Sequence, residues 1–162
     1  MSAAALQGQL RSLREVVDGL SIEVYRSVTS RSSGSIGEHV RHCLDHARAL
    51  LTGMSSGECS YDGRLRGTRI ETDPRAAAIE MAMLSVALDR LEAVPADRPI
   101  RLQAIAQQGA RPTDIRTTVG REIAFVVQHT IHHCAVIALL LEHRDIAVPP
   151  RFGYAPSTPL PV

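Results

Sequence analysis

His129 and His133 stand four residues apart in the run Phe125-Val-Val-Gln-His-Thr-Ile-His-His-Cys134, the strongest chemical signal in the sequence. An α-helix turns once every ~3.6 residues, so an i, i+4 pair projects from one face and can grip a single metal ion. A second cluster, His39, His42 and His46, lies about ninety residues upstream on another helical stretch. At ~100° per residue its three side chains fall within an arc of about 60°. On the later stretch His129 and His133 lie about 40° apart, whereas His132 is turned about 100° from His133. The pair expected to act together is His129 with His133. Two helices that each offer imidazole inward supply three nitrogen ligands and leave one coordination position open, which separates catalytic from structural metal sites.

The competing account is a set of hydrogen-bonded core histidines. Burying several imidazoles in an apolar interior is costly unless each ring nitrogen finds a partner, and one metal ion satisfies three at once. No Asp or Glu in the chain is followed three residues later by His. The Glu-x-x-His signature of carboxylate-bridged di-iron bundles is thus missing, and the expected site is mononuclear and imidazole-rich. Imidazole suits zinc and nickel alike.

Other residues are candidates for the mouth of such a site. Glu122 lies two turns before His129 on the same face, placed to serve as a hydrogen-bond acceptor behind a ligand or as a general base. Tyr61, Asp62, Arg64, Arg66 and Arg69 share one stretch, and its arginines are suited to a carboxylate-bearing substrate or thiol. Cys43, Cys59 and Cys134 make an odd count without a C-x-x-C, so no disulfide framework is expected. Cys59 is expected to be the exposed one.

The elements that must position these residues follow from periodicity. Leu6, Leu10, Leu13, Val17, Leu20 and Val24 predict a first helix over 3–29. Ser32-Ser-Gly-Ser35 reads as a turn, and Ser35-Ile-Gly-Glu38 as a capping box opening a second helix to about Met54. Residues 55–73 read as a long loop. Pro74 opens a third helix, with Ile79, Met83, Val86 and Leu91 as its stripe, to about Val94. Alternation over 99–118 predicts a short β-hairpin or extended crossover. A nearly all-apolar fourth helix runs from about Thr118 to Arg144, and 145–162 form an irregular tail. The expected architecture is all-α: one domain over 1–162, a four-helix bundle with a long crossover between helices three and four.

Composition narrows the function classes. A net charge of +1 gives no general attraction to nucleic acid or anionic membrane, and all 18 basic residues are Arg. The N-terminus lacks the features of a signal peptide, and no run is expected to span a membrane. The expected setting is the reduced cytoplasm.

The segments Ser35-Ile-Gly-Glu-His-Val-Arg-His-Cys-Leu-Asp-His46 and Gln128-His-Thr-Ile-His-His133 resemble the two signature stretches of the DinB-like superfamily. The resemblance covers essentially the whole chain. It implies a four-helix bundle whose metal is held by one histidine of helix two and an H-x-x-x-H pair on helix four. Carried over by motif, the ligands are His42, His129 and His133. His39 and His46 share the face of His42 and are the alternatives to it. Relatives often follow the last histidine with Arg-Gly-Gln, where this chain has Cys134-Ala-Val. The resemblance further implies a homodimer, pairing through helix one or helix four. It also implies a divalent ion, zinc or nickel, and a low-molecular-weight thiol as co-substrate in transfer to a small electrophile. Metal-dependent hydrolysis and a non-catalytic, stress-induced binding role are the other two functions it leaves open.

Overall fold

The computed structural model describes residues 3–28, 34–63 and 65–159. The chain is mostly helical with a small three-stranded sheet. Four long helices, α1 (Ala3–Asp18), α3 (Ile36–Ser56), α5 (Pro74–Asp89) and α6 (Val119–Glu142), share one core. α1 packs on α5 and α6, and α3 packs on the same two.

The first helix is shorter than its periodicity predicts. α1 buries Leu6, Leu10, Leu13 and Val17 and stops at Asp18. Gly19 then lacks the side chain that favours helix, and Ser21 caps a new helix, α2 (Ile22–Arg26), by accepting from the Val24 amide. Leu20 and Val24 stay in phase with the core across this break and pack against it. The turn Ser32–Ser33 lies outside the described residues.

α3 begins as expected. Ser35 accepts from the Glu38 amide while Glu38 accepts from the Ser35 amide, a complete capping box. The stretch 55–73 is not a plain loop. It holds β1 (Glu58–Ser60) and the single turn α4 (Arg69–Thr72). β1 pairs in parallel with β2 (Pro99–Ala104), Glu58 opposite Arg101, and those two side chains form an ion pair of 3.1 Å. Cys59 is therefore buried, contrary to expectation. A Cβ at Gly53 of α3 would lie 2.6 Å from the Cβ of Cys59, so the missing side chain lets the strand lie against the helix.

The hairpin over 99–118 is present: β2 pairs antiparallel with β3 (Thr113–Thr118), Leu102 opposite Ile115. Ile100 and Leu102 face the core, as the alternation requires. Asp73 and Pro74 start α5, which ends at Asp89 rather than near Val94. Its buried stripe is Ala77, Met81, Leu84 and Leu88. Ile79, Met83 and Val86, expected inside, are each more than 60% exposed. Among the described residues, the exposed large apolar side chains of the four long helices lie on α5 and, as Leu139, on α6, with none on α1. α6 starts at Thr118, whose hydroxyl accepts from the Arg121 amide. Contrary to expectation it is long and apolar enough to cross a membrane, but here it packs in the core among α1 and α3. Phe152 of the tail folds back and is buried.

Candidate metal centre

α3 and α6 cross with their histidines facing one another. The Nε2 atoms of His42 and His129 are 2.9 Å apart. That is shorter than the ~3.4 Å that would separate two nitrogens each ~2.1 Å from a tetrahedral ion, so the two rings stand close enough to share one after a small separation. His133, one turn after His129, completes the group: single ligand atoms of His42, His129 and His133 all lie within 4.8 Å of one another. All three rings are half-buried, so the cluster keeps a side towards solvent. The donor set, three neutral imidazoles without a carboxylate, fits a borderline-soft divalent ion.

His39 and His46 fall outside that group but touch it. His39 Nδ1 lies 3.0 Å from His133 Nδ1. His46 Nδ1 lies 3.0 Å from the His42 carbonyl oxygen, a bond that needs the proton on Nδ1. The His46 ring stacks on His129 with centroids 4.1 Å apart and planes 20° apart. His132 is exposed on the outer side of α6, as the helical wheel predicts.

Tyr61 enters the site, and the reason is Glu122. The Tyr61 ring lies parallel to His46, 6° between planes and 5.0 Å between centroids. Its hydroxyl donates to Glu122 Oε2 over 2.9 Å. Glu122 is fully buried, and its other oxygen accepts from Thr117 Oγ1 at 2.7 Å and from Arg121 at 2.9 Å. Three donors stabilise a carboxylate in an apolar interior, and here they anchor the phenol over the histidines. Burial, with the neighbouring Cys59 and then Glu122 adding to it, raises the Tyr61 pKa, so the phenol remains a donor. Phe125 closes one wall, 5.1 Å from Tyr61 and 5.6 Å from His129. Phe125 and Thr117 carry no local sequence signal of a place in the site, because their contacts with Tyr61 and Glu122 depend on how β1 and α6 are placed.

The arginines are placed differently. Arg64 lies outside the described residues. Arg66 is exposed, and Arg69 is paired with Asp73 at 3.0 Å on α4. Arg41, on the flank of α3, is buried between Asp45 and Glu71. A cavity of about 380 Å³ opens between α3 and β1, lined in part by Asp45, Arg48, Cys59 and Ser60, with no histidine in its wall.

Burial, then the neighbouring His129 and His39, hold the His133 imidazole at a pKa of about 3. Burial also lowers that of His39. An unfolded chain protonates histidine near ~6.5, so in the metal-free protein these rings favour the unfolded state as pH falls below that value. The stability they contribute is full above pH ~6.5 and is lost on the way down towards the folded value. Chelator-treated protein is therefore expected to melt at a lower temperature at pH 5 than at pH 7.5. A melting temperature that is flat or rises over this window contradicts the buried neutral cluster.

The chain belongs to the DinB superfamily, whose model matches residues 5–137. Among solved structures it is similar to a DinB-like protein from Bacillus subtilis. The TM-score is 0.65 at 18% identity, over 91% of this chain and 94% of that one, a likeness of fold. It is also 30% identical over 100 residues to "FK506-binding protein 5" of Rhizopus delemar. That match covers 61% of this chain, which spans only 26% of that relative.

Proposed function

We propose that this protein is a metal-dependent enzyme of the reduced cytoplasm, built on a four-helix bundle, that transfers a small-molecule thiol to an electrophile. The observation that supports it most is the convergence of His42, His129 and His133 within 4.8 Å on a half-buried face. These three residues would hold one divalent ion, zinc or nickel. Held by neutral ligands, such an ion would keep its double charge and would supply stabilisation of an anionic nucleophile, which favours a thiol with a pKa near ~8.5 over water at ~15.7.

The chain's own groups do the rest. His46 and Tyr61 form a stacked wall beside His129 that keeps water from one side of the cluster. Glu122 holds the phenol in place through the 2.9 Å bond. With its oxygens engaged by Tyr61, Thr117 and Arg121, Glu122 acts in this reading as a positioning carboxylate rather than a general base.

Cobalt-substituted protein is expected to develop an intense sulfur-to-metal charge-transfer band when a small physiological thiol is added, and His129→Ala to lose it. If no such thiol produces the band while the cobalt or zinc protein hydrolyses activated esters, transfer is the wrong reaction and hydrolysis replaces it.

A further inference from the structure

His39 is 8% exposed, and its Nε2 is buried without a hydrogen-bond partner among the described residues. The hydrogen-bond contact its imidazole makes is the one with His133, Nδ1 to Nδ1 over 3.0 Å, their ring centroids 5.2 Å apart. Burying an imidazole at the price of an unsatisfied nitrogen costs stability that an apolar residue would not. The contact with His133 is where that cost can be offset.

Two nitrogens that share a hydrogen bond carry one proton between them. If His39 held it on Nδ1, His133 would accept on Nδ1 and carry its own proton on Nε2, which bars Nε2 from a cation. If His133 holds it on Nδ1, its Nε2 lone pair is free. The second state is the one compatible with a ligand role, because His133 Nδ1 is already turned to His39 and only Nε2 remains for the cluster. His42 and His129 likewise face each other through Nε2.

We infer that His39 is a positioning residue: it accepts the Nδ1 proton of His133 and so fixes the tautomer that presents Nε2 to a divalent cation. His39 thus does for His133 what carboxylates and carbonyls do for the outer nitrogen of ligand histidines elsewhere. This inference rests on the metal reading for its purpose, and the tautomer can be read directly in the metal-free protein.

The test uses the full chain in two forms. In metal-free protein at pH 8, long-range proton–nitrogen spectra of the imidazoles are expected to show His133 protonated at Nδ1 and His39 at Nε2. A His133 protonated at Nε2 overturns the inference, whether or not the protein binds metal. Zinc affinity, measured against a chromophoric chelator, is expected to fall about 10–100-fold in His39→Leu with one ion still bound at saturation. His39→Asn, whose side-chain oxygen can accept where Nδ1 did, is expected to retain most of the parent affinity, and it serves where His39→Leu fails to fold. Unchanged affinity in His39→Leu overturns the positioning role. Loss of stoichiometric zinc from both variants also overturns it and makes His39 a ligand. A parent protein that binds no zinc sinks the metal reading, while the tautomer spectrum still decides the role of His39.

Discussion

Replacing His129, His133 or His42 with alanine is expected to abolish stoichiometric binding of a divalent ion, while His132→Ala leaves it at one ion per chain. The three ligand atoms lie within 4.8 Å of one another, so removal of any one leaves a two-imidazole site that water must complete. His132 is exposed on the far side of α6, one residue from His133 in sequence yet unable to face the cluster. His46→Ala tests whether His46 takes the place of His42 as third ligand. Its ring stacks on His129 and its Nδ1 is engaged by a backbone carbonyl, so its loss loosens a wall and keeps the donor set. Metal content after purification, with zinc competition titrations, reads all five variants. Loss of metal from His46→Ala with retention in His42→Ala would transfer the third ligand position to His46. Retention in His133→Ala with loss in His132→Ala would refute the helical-face assignment altogether.

What the sequence made legible was what depends on a few neighbouring residues. Ser35 with Glu38, Pro74, and the i, i+4 spacing of His129 and His133 each carry their meaning within one or two turns, and the structure has the corresponding caps and face. Periodicity was less reliable as a guide to which side is inside. On α5 the stripe of Ile79, Met83 and Val86 and the stripe of Ala77, Met81, Leu84 and Leu88 are both apolar and both helical in spacing, and packing on α1 and α3 chose the second. Leu20 and Val24 continued the phase of α1 across Gly19, so the break was hidden in the hydrophobic pattern and visible only in the cap at Ser21. β1 has three residues and owes its existence to β2, about forty positions later, which no local pattern records. The same holds in the site. Tyr61 reaches Glu122 across 61 positions and His39 reaches His133 across 94, so residue types were available early but their pairing was not.

The largest stability loss is expected from the smallest change in side chain, Gly37→Ala. Gly37 lies in the first turn of α3, two residues before His39 and five before His42. A Cβ built there would sit 2.0 Å from the carbonyl oxygen of Glu71 and 2.7 Å from the Cε1 of Tyr25. Neither neighbour can give way freely. The carbonyl belongs to the backbone of α4, and the Tyr25 ring is fully buried with its hydroxyl bonded to the Ile70 carbonyl at 2.7 Å. Overpacking a filled interior usually costs ~1–3 kcal/mol, and a clash with backbone belongs at or above the top of that range. For a chain of this size ~3 kcal/mol lowers the melting temperature by roughly 6–12 °C. Gly8→Ala gives the contrast. Gly8 is exposed within α1 with nothing within 4 Å of an added Cβ, so there alanine removes backbone freedom from the unfolded chain and is expected to stabilise by about 0.4–1 kcal/mol. The two substitutions are chemically identical and opposite in expected sign. If relief of the Gly37 clash moves the start of α3 away from α6, zinc affinity falls along with stability, because His39 and His42 ride on that turn. Urea denaturation and zinc titration on the same samples check both effects. A Gly37→Ala protein as stable as its parent would mean that α4 does not lie against α3 as described.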